Sequence, residues 1–124
     1  MGQKITIRVG TLTLAAELND SPASAAVAAA LPIQAKGNCW GEEIYFRIPV
    51  KQPEAKDARA EMAVGELAYW PPGNAFCIFF GPTPASIGQE PRAASPVNPI
   101  GRVTGDVGLL RQIADGSEFV LEKA

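Results

Sequence analysis

The segment from Glu66 to Pro84, ELAYWPPGNAFCIFFGPTP, restricts the fold of this chain more than any other stretch. Leu67, Ala68, Tyr69 and Trp70 suit a pleated, half-buried surface, and Pro71-Pro72-Gly73-Asn74 cannot continue a hydrogen-bonded ladder. The segment therefore reads as strand, turn, strand. Its second strand, Phe76 to Phe80, is apolar on both faces. Such a strand needs cover on each side, which excludes a simple exposed sheet and implies a closed or covered β structure.

With 124 residues, the chain is expected to form a single domain spanning residues 1–124, large enough to bury roughly two thirds of its unfolded surface. The 11 basic and 13 acidic side chains leave a net charge of -2 with no run of like charge. A basic stripe for a phosphate backbone is missing, so nucleic acid is not an expected partner. The opening MGQKITIRVG alternates apolar and polar residues rather than forming a secretory leader, and a cytoplasmic location is expected. No apolar stretch approaches the roughly 20 residues that a membrane span needs.

There is no histidine, which removes the commonest general base and every Ser-His or Cys-His nucleophile. Cys39 and Cys77 lie far apart, without the CxxC spacing of a zinc or redox motif, and are expected to be small buried hydrophobes. No glycine pattern matches a P-loop or dinucleotide fingerprint. No cofactor and no metal are expected.

Lys4 to Val9 and Thr11 to Glu17 carry alternating or β-branched residues around Gly10, the pattern of a hairpin. Ser21 and Pro22 mark the N-cap and first position of an Ala-rich helix that Pro32 stops, with Val27 and Leu31 as its apolar ridge. In GEEIYFRIPV, Ile44, Phe46 and Ile48 point to the core while Glu43, Tyr45 and Arg47 point to the outer surface. Glu42 and Glu43 cannot form a facing dyad. Glu42, on the core-facing side, is expected at a rim or paired with a cation such as Arg102.

Pro49 to Arg59 reads as a surface loop and Ala60 to Val64 as a strand leading through Gly65 into the central hairpin. Prolines at 82, 84, 91, 96 and 99 suggest a long ordered loop from Pro82 to Pro99. The close predicts a short strand, a helical turn near Leu109 to Ile113, an Asp115-Gly116 turn and a last strand through Phe119 and Leu121. Pairing of the two terminal strands would shut a barrel. Trp40 and Trp70 are expected to serve the core and the hairpin turn, and Asn74 and Asn98 to satisfy backbone groups near turns.

Three motifs carry a resemblance: GNCWGEEIYF (Gly37 to Phe46), AYWPPGNAFCIFFGPTP (Ala68 to Pro84) and SPVNPIGRV (Ser95 to Val103). They are similar to the small prokaryotic cyclophilin-like proteins, a family without an established function. The element order, ending in IGRVTGDVGLLRQI, resembles cyclophilins proper. The resemblance covers almost the whole chain. It implies a mainly β fold: a closed cyclophilin-like β-barrel with one Ala-rich α-helix and a short helical turn near the C-terminus.

In prolyl isomerases of this fold an arginine lies on a strand reading Phe-His-Arg-Ile-Ile-Pro, and the matching stretch here is Tyr45-Phe46-Arg47-Ile48-Pro49. The resemblance thus assigns Arg47 to a peptide carbonyl or prolyl nitrogen. The Phe-Met-x-Gln-Gly-Gly segment that follows in the family is replaced by KQPEAKDAR, and the tryptophan and histidine of the far pocket wall have no counterpart after Gly81. The expected function is binding of a small molecule or peptide, without catalysis, in an outer groove near Tyr45, Arg47, Tyr69 and Phe76. The alternative is a weak peptidyl-prolyl isomerase using Arg47, with Phe76 or Phe79 as the hydrophobic contact. By analogy of fold, a third role is as a subunit of a carboxamide-metabolising complex.

Overall fold

The computed structural model describes residues 2–124. Its elements run β1 (Lys4–Val9), β2 (Leu12–Leu18), α1 (Pro22–Ala30), β3 (Ile33–Lys36), β4 (Asn38–Cys39), β5 (Glu43–Arg47), β6 (Arg59–Glu61), β7 (Glu66–Trp70), β8 (Ala75–Phe79), β9 (Arg92–Val103) and β10 (Glu118–Lys123). Single 3-10 segments cover Pro71–Gly73 and Val107–Gln112. The architecture is mainly β. Among the described residues, no helix is long and apolar enough to cross a membrane.

The strands form one path in the order β3-β10-β1-β2-β9-β7-β8-β5-β4, with β6 paired to β9 off the path. The terminal strands do pair, antiparallel, with Ile7 opposite Leu121. That ladder lies inside the path, however, and does not close it. The path's two ends, β3 and β4, are consecutive in the chain with only Gly37 between them. A Cβ at Gly37 would come within 2.5 Å of the Phe119 ring and 3.1 Å of Ile44. Only a residue without a side chain lets the backbone pass this close to both ends of the sheet.

The inner face of the sheet holds the main core. Ile5, Ile7, Leu14, Leu18, Ile44, Leu67, Ile78, Ile100 and Leu121 surround Phe46, whose ring stacks on Phe76 and Phe119 with centroids 5.4 Å apart in each case. The helix begins as its sequence predicts: the Ser21 hydroxyl accepts a hydrogen bond from the Ser24 amide at 3.2 Å, and Pro22 occupies the first turn. Val27 is fully buried against the core, and the Ser24 hydroxyl donates to the Ile100 carbonyl at 2.6 Å. Leu31 lies just past the helix end and is half-buried.

Two boundaries differ from expectation. The strand after the first long loop is only Arg59–Glu61, because residues 63–65 already turn toward β7. More important, the expected loop from Pro82 to Pro99 ends at Pro91, and the twelve-residue strand β9 runs through Pro96 and Pro99. These prolines fit because β9 changes partners along its length. It faces β6 at Val97 and Arg92, β7 at Asn98, Pro99 and Gly101, and β2 at Gly101 to Val103, with register shifts against both β6 and β7. A missing amide hydrogen costs little where the ladder is already interrupted.

The remaining loop is held by its own polar groups. The Ser86 hydroxyl donates to the Glu90 carbonyl, and the Glu90 carboxylate accepts from the amides of Ile87 and Gly88 at 2.8 Å each. Those amides hold the Glu90 carboxyl down at about 2.

Candidate functional site

On the opposite, outer face of β5, β8 and β7 lies a second apolar cluster: Met62, Ala68, Ala75, Cys77, Phe79, Ala93 and Val97, with Tyr45 and Trp70 packed against it. Alternation along the strands dictates this division. Phe46, Phe76 and Tyr69 align across three strands and share the inner face, so Tyr45, Cys77 and Ala68, one step along, share the outer one. Ala93 and Val97 reach the outer face from β9, the strand that the prolines disguised.

At the edge of this cluster is a cavity of about 250 Å³, lined by Trp40, Glu43, Tyr45, Trp70, Ala93, Ala94 and Val97. A tight hairpin builds one wall. Gly41 has φ of 60° at the first position of a two-residue turn, and Trp40 and Glu43 on either side exchange both backbone hydrogen bonds, at 2.9 and 3.2 Å. Directly opposed residues project to the same face, so the turn sets the Trp40 indole beside the Glu43 carboxyl. Tyr45 follows on that face two residues later. From β7, Trp70 is fixed by its indole N–H, which donates to the Ser95 hydroxyl at 2.7 Å.

Glu43 is the unusual group. It is only 5 % exposed, and its Oε1 is buried with no hydrogen-bond partner. Burial pushes its carboxyl up from 4.5 to about 7, a shift that the neighbouring Cys77 thiol partly offsets. The Cys77 thiol is in turn raised well above its usual range, first by its own burial and then by the neighbouring carboxyl. A carboxyl poised near neutrality in a concave, largely apolar site is able to accept a hydrogen bond, exchange a proton or neutralise a cation.

The sequence-predicted site residues separate. Tyr45 lines the cavity and Arg47 is exposed at the end of β5. Tyr69 and Phe76, expected in the same groove, are instead fully buried in the inner core. The Tyr69 hydroxyl donates to the Val50 carbonyl at 2.6 Å and lies 3.0 Å from Asn74 Oδ1, so it is a core tyrosine with a satisfied polar end. Phe79 is sealed in the outer cluster, opposite Glu43.

The two neighbouring glutamates differ in how they meet expectation. Glu43, read as outer surface, is buried because that face is covered. Glu42, expected at a rim or paired with a cation, is half-exposed and pairs with a cation at 2.5 Å, although the partner is Arg111 and not Arg102. Cys39 is exposed, not buried, while Cys77 is buried as expected. Asn98 does serve backbone groups: it accepts from the Ala55 amide at 2.7 Å and donates to the Pro53 carbonyl at 3.0 Å.

The cavity is also lined by Trp40, Glu43 and Trp70, none of which is among the expected ligand-binding residues Tyr45, Arg47, Tyr69 and Phe76. A signal for Glu43 was present. Phe76 to Phe80 demands cover on both faces of its strand, and that cover extends over the adjacent strand, where Glu43 stands opposite Phe79.

Together these features define a small, mainly β protein with a ligand-sized aromatic pocket and a buried carboxyl on the outer face of its sheet. The chain belongs to the cyclophilin-like family, whose profile matches residues 3–122. It is similar to the hypothetical protein AF2241 from Archaeoglobus fulgidus, known from a solution structure. The two are 38% identical, with 99% of this chain and 95% of the archaeal chain covered and a TM-score of 0.83. No curated protein matches the chain.

Proposed function

We propose that the protein is a binding domain whose small-molecule or peptide ligand enters the cavity between Trp40, Tyr45 and Trp70 and meets Glu43 there. The observation that carries this reading is the Glu43 carboxyl, buried without a partner for one oxygen at the wall of an apolar cavity. Leaving a buried acceptor unsatisfied is costly, and a ligand donor would relieve that cost. The cavity lies just below the usual range for small-molecule pockets, which suits a compact ligand or a single side chain of a peptide. In this reading the sheet works as a closed barrel, continuous through Gly37, that holds the pocket walls rigid.

An isomerase centred on Arg47 has less support. The hydrophobic contacts it would use, Phe76 and Phe79, are both sealed inside apolar clusters and offer no surface to a proline ring.

A thermal-shift screen of proline-containing peptides and small metabolites tests the binding reading, run on the wild type, Trp40→Ala and Arg47→Ala. Ligands that raise the melting temperature of the wild type and of Arg47→Ala, but not of Trp40→Ala, support the cavity. Hits lost only in Arg47→Ala move the site to the end of β5 and refute it.

A further inference from the structure

Resting on the cavity reading above, we infer that the ligand is a small organic cation, an ammonium or guanidinium group that Glu43 neutralises and that Trp40, Tyr45 and Trp70 enclose. Three observations converge on this chemistry. Glu43 lines the cavity, is almost completely buried and has an Oε1 with no hydrogen-bond partner, so the cavity wall holds an acceptor with nothing to accept from. None of the seven lining residues is a lysine or arginine, so the protein supplies no counter-charge inside the cavity. The rest of the wall is two indoles, one phenol and aliphatic side chains, and the negative faces of aromatic rings attract cations.

A metal ion is a poorer fit. Glu43 has only the Cys77 thiol beside it, and among the described residues no group of three His, Cys, Asp or Glu side chains could hold one. An anion would meet the carboxyl head on.

Binding of a cation is then linked to protons. The titratable groups facing Glu43 are Tyr45 on its own strand and Cys77 of β8; β4 and its turn present Trp40, β7 presents Trp70, and β9 presents Ala93, Ala94 and Val97, none of them ionisable. When the cation enters, a protonated Glu43 releases its proton to solvent and the O–H pair stays on the carboxylate. With the free carboxyl at about 7, affinity for a permanent cation should rise about tenfold from pH 6 to pH 8, as the ionised fraction grows.

The test uses the full chain and follows tryptophan fluorescence during titration with choline, methylguanidinium and n-butylammonium. Each is paired with a neutral analogue: 3,3-dimethylbutan-1-ol, methylurea and n-butanol. At least one cation should bind tenfold or more tightly than its neutral partner, with the pH dependence above, and Glu43→Gln should remove both the preference and the pH dependence. Equal or tighter binding of the neutral analogues overturns the cation inference and leaves the cavity reading standing. If neither set binds, at any concentration up to solubility, both fall. Should Glu43→Gln fail to fold, the Glu43 carboxyl resonance of the wild type decides: a bound cation must lower the pH at which it titrates, and no displacement refutes the inference.

Discussion

The two faces of the same three strands, β5, β8 and β7, have been given different tasks by the size of their side chains. Inward, Phe46, Phe76, Tyr69, Ile44, Ile78 and Leu67 are all fully buried, and the one polar side-chain atom among them, the Tyr69 hydroxyl, is satisfied by Val50 and Asn74. Outward, Ala68, Ala75 and Cys77, joined by Ala93 and Val97 of β9, are smaller, and the cavity at the edge of that cluster has Glu43 in its wall, whose Oε1 is buried with no partner. A face packed to native density contributes stability; a face of small residues gives up some of that contribution and gains a site. The same ladder of β5, β8 and β7 holds both faces.

The strongest way to break this comparison is to empty the inner face. Phe46→Ala should destabilise the fold by about 3–5 kcal/mol, since it removes a ring stacked on two others from a site with no slack. Denaturant unfolding measures it, and a loss below about 1 kcal/mol would mean that the inner face is not the sealed one.

The next effect comes from Glu43 and has an unusual sign. Its folded carboxyl is raised to about 7 from 4.5, so between these values the folded protein holds a proton that the unfolded chain has released. Stability contributed by the neutral form is complete below about pH 4.5, declines as pH rises toward 7, and is lost above it. The change is about 3 kcal/mol for a shift of this size. Unfolding free energies measured at pH 5 and pH 8 should show it in the wild type and not in Glu43→Gln. Glu90 acts with the opposite sign in a separate window: its carboxyl, held at about 2, supports the fold above pH 4.5 and loses that support as pH falls toward 2.

The smallest effect sharpens the contrast. Trp70→Phe keeps an aromatic wall but loses the hydrogen bond to Ser95, which should lower stability by about 1 kcal/mol. Chemical denaturation of this variant beside Phe46→Ala ranks the two faces, and a larger loss for Trp70→Phe would reverse their assignment.

Much of the fold was legible because local chemistry agreed with tertiary structure. Ser21-Pro22 opens the helix, Gly10 turns the first hairpin and Pro71-Pro72-Gly73-Asn74 turns the central one, each where backbone preferences place it. The strand β9 was hidden because proline argues locally for a loop, whereas the exchange of partners between β6, β7 and β2 removes the penalty. The site was legible only in Tyr45. Alternation tells which residues of one strand share a face, but that Tyr69 stands opposite Phe76, and that both turn to the inner core, depends on how the strands pair, which is not written in either strand alone.

By itself, then, the sequence determined a mainly β chain with one capped helix, its principal turns, a doubly covered central strand and the family it joins, because these rest on short-range preferences and residue patterns. Tertiary structure alone decided that Glu43 is buried and Glu42 is not, that Trp40 and Trp70 face one cavity, and that Tyr69 belongs to the core. Those outcomes depend on β9 and the Gly41 hairpin folding over the outer face, where segments about fifty residues apart in the chain exclude water together. Burial is a property of that assembly, and no residue carries it before the strands meet.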